Sequence, residues 1–293
     1  MMQFFYMAHI LITGANGQVG SEIDALSIQY PEFDLFFADR ADLDITKEEE
    51  IARFLDRHPF QYLINAAAYT AVDKAETEPE LARKVNTDGP RLLAKACRER
   101  DIALIHYSTD YVYHTEHNRP YKEDDFTAPK GVYAQTKLEG DQAVLDHTDN
   151  GMIIRTSWVY SSFGHNFVKT MLRLGRERDQ LRIVFDQIGS PTYARDLAKA
   201  SLDIIQHSKK EKLKGIYHYS NEGVCSWYDF ALAIFEIAGI ECIVRPIESK
   251  DYPTPAERPP FSVLNKGKMK EDFGLVIPHW RESLAKCIGL LKK

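Results

Sequence analysis

Cysteine is scarce in this 293-residue chain: Cys97, Cys225, Cys242 and Cys287 lie far apart, and no two form a Cys-x-x-Cys pair. Disulfide frameworks and zinc sites draw on tighter spacing or on neighbouring histidines, so reduced, buried thiols are expected. A positive excess is missing too. The formal charge is -6, and the short basic runs Lys209-Lys210 and Lys292-Lys293 sit at polar helix ends, where a solvated face explains them. Contact with nucleic acid is therefore not expected. No stretch approaches the roughly twenty apolar residues that a bilayer span requires. The apolar start, Met1–Ile12, lacks the positive leading segment of a signal peptide and runs directly into a glycine turn. Met1–Met7 reads as a short extension, and a cytoplasmic protein without membrane contact is expected. Repeats, low-complexity tracts and clear linkers are absent as well.

What is present is an ordinary globular composition, 44% hydrophobic and 27% charged, over a length that can bury a large core. His9–Thr13, Asp34–Ala38, Tyr62–Asn65, Ala103–Tyr107 and Met152–Arg155 read as buried parallel strands. Between them lie helical patterns at Val19–Tyr30, Lys47–His58, Glu78–Arg100 and Tyr133–His147, the third with a break expected near Gly89-Pro90. This alternation predicts an α/β fold, a doubly wound parallel Rossmann sheet with helices on both faces. After about residue 158 the rhythm becomes irregular: helix at Phe167–Arg178, strand at Leu181–Phe185, helices at Ala194–His207 and Ser226–Ala238, then a proline-rich loop at Tyr252–Pro260. The expected division is a nucleotide-binding domain over 1–157, with 181–210 returning to it, and a smaller, mainly substrate-binding lobe over 158–293.

Directly after the first strand comes Thr13-Gly14-Ala15-Asn16-Gly17-Gln18-Val19-Gly20, leading into a helix. Glycines at 14, 17 and 20 permit a tight turn, close approach of backbone to a pyrophosphate, and close helix–strand packing. The helix start adds free N–H groups and a partial positive charge. Three loop glycines alone are a weak signal; the strand–turn–helix context is what points to a dinucleotide. About twenty residues past Gly20, the second strand ends at Asp39-Arg40, where an acidic residue usually meets the adenosine ribose. Asp39 favours a free 2′-hydroxyl and Arg40 suits a 2′-phosphate, so NAD and NADP both stay open; a surface ion pair is the bland reading of Arg40. The small run Ala66-Ala67-Ala68 would let a cofactor lie flat across the sheet edge.

Ser108-Thr109-Asp110-Tyr111 closes the fourth strand, and Tyr133 and Lys137 follow one turn apart on the next helix. Residues four apart share a helical face. A phenol titrates near 10, too high for easy proton exchange at neutral pH, and a neighbouring ammonium lowers that barrier. Thr109 is in reach to hydrogen-bond the reacting oxygen. A lone Tyr-x-x-x-Lys is usually a solvated helix face; combined with the glycine turn and the Ser-Thr strand end it reads as catalytic.

These residues are similar to those of the extended short-chain dehydrogenase/reductases. The segments Gly14–Gly20, Asn65–Glu76, Ser108–Val112, Tyr133–Lys137, Arg155–Tyr160, Asn166–Met171 and Asp186–Thr192, with Arg258, Pro259, Ser262 and Leu264, resemble the dTDP-4-dehydrorhamnose reductase family over essentially the whole chain after Met7. The resemblance implies reduction of the 4-keto group of a dTDP-linked 4-keto-6-deoxy sugar nucleotide, dTDP-4-dehydro-L-rhamnose, with hydride from NADPH or, in some members, NADH. It implies that Gly17, Gln18 and Val19 touch the pyrophosphate, and Asp39, Asp44 and Ile45 the adenosine end. Ala66, Ala67, Ala68 and Tyr107 would line the cleft, which Tyr133 and Lys137 also reach. Thr109, Asp110 and Trp158 would contact the sugar nucleotide, packing being the rival role for Trp158. Some members bind magnesium through glutamates at a homodimer contact; no glutamates here match securely, so no metal is expected. Residues between Tyr113 and Gly131 follow the family pattern loosely. Two rivals remain: a non-catalytic subunit resembling the methionine adenosyltransferase β subunit, and a reductase or epimerase of another sugar nucleotide.

Overall fold

In the computed structural model, which describes residues 7–115, 118–208 and 211–292, six short runs assemble into one parallel sheet. They are β1 (Ala8–Thr13), β2 (Phe33–Ala38), β3 (Tyr62–Asn65), β4 (Ala103–Thr109), β5 (Gly151–Thr156) and, after a further strand β6 (Gln180–Val184) outside this sheet, β7 (Gly215–Tyr219). Their order is β7-β5-β4-β3-β1-β2. Alternate side chains point to opposite faces. Ile10, Ile12, Ile64, Ile105 and Ile154 enter one core layer; Leu11, Leu63, Leu104 and Ile153 enter the other. The first layer is covered by α1 (Gln18–Leu26) and the second by α2 (Glu48–Leu55), which explains why both faces of these strands are apolar.

The stretch read as Glu78–Arg100 forms α3 (Pro79–Arg83) and α4 (Gly89–Glu99) without the expected break. The helix widens instead into a π turn at Lys84–Asp88. Pro90 has no N–H to offer the carbonyl four residues back, that of Asn86, and a side chain at Gly140 would meet that carbonyl oxygen at 2.1 Å. Gly140 lies on α5 (Gly131–His147), which packs along α4 and the π turn. The first helix is shorter than read, passing after Leu26 into a 3-10 turn at Ser27–Gln29.

Beyond β5 the chain builds α6 (Phe167–Glu177), α7 (Ala194–His207), α8 (Trp227–Ala238), β8 (Ile243–Ile247), α9 (Gly267–Phe273) and α10 (Trp280–Leu291). Of these, α7 packs on α1 and contributes Leu197, Leu202 and Ile205 to the first core layer. By contrast, β6 pairs in parallel with β8, away from the main sheet. Val168, Phe230, Ile234, Trp280 and Leu284 form a separate core. Of the cysteines, all free, Cys97, Cys225 and Cys287 are buried; Cys242, expected to be buried, is half-exposed just before β8. Most of the Met1–Met7 extension, and Lys209, Lys210 and Lys293, lie outside the described residues. No helix among the described residues is long and apolar enough to cross a membrane.

Candidate active site

In this sheet β1 has β2 on one side and β3 on the other, so the connections leaving β1 and β3 diverge and open a crevice beyond their carboxyl ends. Gly14 sits there with φ +71°, and a Cβ on it would stand 2.6 Å from the Ala66 and Ala67 backbone. Only glycine lets the first turn approach β3 so closely. The first turn of α1 begins after Gly17, whose side-chain-free cap leaves N–H groups for an anion. A cleft of about 630 Å³ extends from this point, lined among others by Gly14, Gly17, Asp39, Asp44, Ile45 and Ala66–Ala68. Its open glycine turn, bare N–H groups and alanine floor fit a dinucleotide.

The other expected cofactor residues are placed unevenly. Asp39 accepts the Ala41 amide at 2.7 Å, the Asp42 amide at 3.2 Å and Asn16 Nδ2 at 2.7 Å; these hydrogen bonds hold its carboxyl below the usual range. Arg40 is exposed beside it. Gln18 Oε1 accepts from Asn166 Nδ2 at 3.0 Å, and Val19 packs against the core. The Tyr107 side chain points into the core, its hydroxyl 2.7 Å from that of Ser201; what it offers the crevice is its carbonyl.

That carbonyl accepts from Lys137 Nζ at 2.7 Å. Lys137 is buried, which pulls its ammonium down to about 8 against the opposing charge of Asp141. Tyr133, one turn earlier on α5, has its phenol pushed up to about 12 by burial, while the Thr109 hydroxyl works in the other direction. The edge of Tyr111 meets the Tyr133 ring at 5.6 Å between centroids. The start of α5 is fixed by Glu76, whose Oε1 accepts the Val132 amide at 2.8 Å. Thr109 donates to Asp110 Oδ1 at 3.1 Å; Asp110 Oδ2 is buried with no hydrogen-bond partner among the described residues. Burial raises the Asp110 carboxyl to about 7, opposed by the Ser262 and Thr109 hydroxyls. Tyr133, Lys137, Thr109 and Asp110 thus converge at the ends of β4 and α5.

Trp158, just past β5, adopts φ +47°, a left-handed conformation that is an outlier for a bulky residue. Its indole packs against Gly189, where a Cβ would come within 2.7 Å of the ring, and stacks on Trp227. Trp227 was not singled out in the sequence, nor were His106 and Asn65 as functional residues. His106 could have been found: a polar residue inside an otherwise apolar strand is the informative exception. Nearby, Arg258 forms a two-pronged pair with Asp73, at 2.5 and 2.7 Å, tying the proline-rich loop to the segment after β3.

A glycine-turned dinucleotide crevice with a Tyr-Lys pair facing a threonine at the fourth strand end defines an extended short-chain dehydrogenase/reductase. A family model described as the RmlD substrate binding domain matches residues 7–292. The dTDP-4-dehydrorhamnose reductase of Aggregatibacter actinomycetemcomitans is 41% identical over 289 residues, covering 95% of this chain and 97% of that protein. A crystal structure of a dTDP-4-dehydrorhamnose reductase from Clostridium acetobutylicum aligns with TM-score 0.92 at 41% identity, over 97% of this chain and 100% of that one. That of the Bacillus anthracis enzyme, in complex with NADP, aligns with TM-score 0.92 at 37% identity, over 97% and 99%. The chain belongs to the dTDP-4-dehydrorhamnose reductase family.

Proposed function

We propose that the protein reduces the 4-keto group of dTDP-4-dehydro-L-rhamnose, giving dTDP-L-rhamnose for cell-surface polysaccharide. Bound in the crevice, NADPH supplies the hydride. The observation that carries the reading is the convergence of Tyr133 and Thr109 beside a buried Lys137, at the strand ends that also carry the glycine turn. Tyr133 donates the proton that the reduced oxygen requires, and Thr109 holds that oxygen in line. Lys137 binds the nicotinamide ribose and favours the phenolate left behind. Gly14, Gly17 and Gly20 admit the pyrophosphate, with Gln18 and Val19 at its edge; Asp39, Arg40, Asp44 and Ile45 border the adenosine.

Asp110 and Trp158 serve the sugar nucleotide. A buried carboxylate oxygen without a partner among the described residues suits a substrate hydroxyl, and an indole forced into a left-handed backbone suits a wall that must stand in one place. On this reading the sheet built from 1–157, with β7 and α7 returning to it, holds the cofactor, while most of the remainder of 158–293 holds the sugar. A water-soluble, charged substrate agrees with work in the cytoplasm.

The test is NADPH oxidation with dTDP-4-dehydro-L-rhamnose beside other 4-keto sugar nucleotides. Stoichiometric consumption with the first and little with the rest is expected. Sugar turnover without net NADPH consumption would make the protein an epimerase, and cofactor binding without turnover a regulatory subunit.

A further inference from the structure

The strand register brings Thr13, Asn65 and His106 into one row, Thr13 opposite Asn65 and Asn65 opposite His106. All three are buried, on the face that Lys137 covers. Their hydrogen bonds leave one arrangement of protons. The Asn65 carboxamide oxygen accepts from Thr13 Oγ1 at 2.7 Å and from the Ala67 amide at 3.2 Å. A backbone N–H can only donate, so this end of Asn65 is the oxygen. The other end is therefore the NH2, 3.0 Å from His106 Nδ1. An amide NH2 also only donates, so Nδ1 must carry a lone pair. Burial holds His106 far below its ordinary pKa, and the neutral ring then has its single proton on Nε2. Nε2 lies 3.5 Å from Lys137 Nζ.

We infer that His106 is a positioning residue for Lys137, locked by Asn65 into the tautomer that turns an N–H, not a lone pair, toward the lysine amine. An N–H pole repels an ammonium and is accepted by a neutral amine. The ring thus works with burial to ease loss of the lysine proton. The other groups around Nζ are few. The Tyr107 carbonyl from β4 accepts one of its protons at 2.7 Å. Asp141, one turn further along α5, favours the ammonium, but its carboxylate is paired with Arg155 of β5 at 2.9 Å. A lysine that holds the cofactor and tunes a phenol is then kept close to its own titration midpoint. This consequence rests on the proposed role of Lys137; the proton placement does not.

Asn65→Asp reverses the lock with almost no change of shape. A carboxylate still accepts from Thr13 and Ala67 but needs a donor from Nδ1, which moves the ring proton off Nε2 and turns a lone pair toward Lys137. Two readouts are taken on the ligand-free protein by NMR: long-range ¹H–¹⁵N correlations of the His106 ring, and titration of Lys137 through its ¹³Cε shift. The wild-type ring should carry its proton on Nε2 at neutral pH. In the variant the proton should appear on Nδ1, and the Lys137 midpoint should rise by about one unit, a tenfold change in the amine-to-ammonium ratio. The alkaline limb of the reductase pH profile should move up with it. A wild-type ring protonated on Nδ1, or on both nitrogens, overturns the proposal even if the variant fails to fold. So does a relocated proton with an unmoved Lys137 midpoint. If the midpoint moves but the rate profile does not, the proton placement stands and the assigned role of Lys137 is what fails.

Discussion

Trp158 and Trp227 lie face to face, ring centroids 3.6 Å apart and planes 9° from parallel. Gly189 closes one side of the Trp158 indole and Phe167 leans on Trp227, with centroids 4.7 Å apart. The stack holds a bulky residue in a left-handed backbone conformation that it would leave if free to do so. Trp227→Leu keeps an apolar side chain on α8 but removes the ring. An aromatic pair is worth about 0.5–1.5 kcal/mol beyond its buried area. The expected result is a KM for the sugar nucleotide raised roughly three- to tenfold, with NADPH affinity unchanged. Steady-state kinetics and a cofactor titration check it; an unchanged KM would assign Trp158 to packing alone.

Tyr133→Phe removes the hydroxyl beside Thr109 and leaves the ring against Tyr111. General acid catalysis supplies about a hundredfold or more, so turnover should fall by at least that factor while NADPH affinity stays within about twofold. Near-normal turnover would mean that the proton comes from elsewhere.

The sheet was legible because strands buried on both faces read as apolar runs between glycine and helix signals, as at Ala103–Tyr107. Two of the longer strands were not. Gly215–Tyr219 carries a buried His218, and Ile243–Ile247 contains Pro246, tolerated because that strand pairs on one side only. Within the site, Tyr133, Lys137 and the glycines announce themselves by local spacing. Trp227 does not, because its partner is brought to it by tertiary packing between α8 and the loop after β5. Asn65 and His106 stood in plain view inside strands, but their meaning depends on register, which only the assembled sheet supplies.

Asp141 and Arg155 are both almost fully buried, and Arg155 also donates to the Tyr113 hydroxyl at 2.6 Å. Asp141→Asn strands a guanidinium in the interior, and breaking a buried pair from one side costs about 3–5 kcal/mol. Urea unfolding should show a loss of this size, with Arg155→Lys losing less because a charge remains opposite Asp141. A loss under 1 kcal/mol would show that solvent reaches Arg155.

Asp39 and Arg40 bear on cofactor choice. Asp39→Ala removes a negative charge near the expected 2′-phosphate and should raise the NADPH-to-NADH ratio of kcat/KM. Arg40→Ala should weaken NADPH selectively. Because Asp39 also ties the turn through Ala41 and Asn16, its removal should loosen both cofactors somewhat. If neither variant changes the ratio, these side chains do not read the ribose.

Asp110 connects the site to stability. Its carboxyl is raised by burial to about 7, against an ordinary value near 3.8. The folded protein therefore binds this proton more tightly than the unfolded chain does. Below the unfolded pKa the group is protonated in both states and imposes no charge burial. As pH rises from about 4 towards 7 the unfolded chain gives up the proton while the fold retains it, and stability falls through that window. Above about 7 the loss is complete, on the order of a few kcal/mol. Other carboxylates in ion pairs work in the opposite sense, so the comparison must be with a variant at the same pH. Asp110→Asn is neutral throughout and keeps an oxygen for Thr109. Its unfolding free energy relative to wild type should climb between pH 4 and 7 and level off above, while its KM for the sugar nucleotide rises. A difference that stays flat with pH would mean that Asp110 is ionised at ordinary acidity, with its free oxygen reached by water.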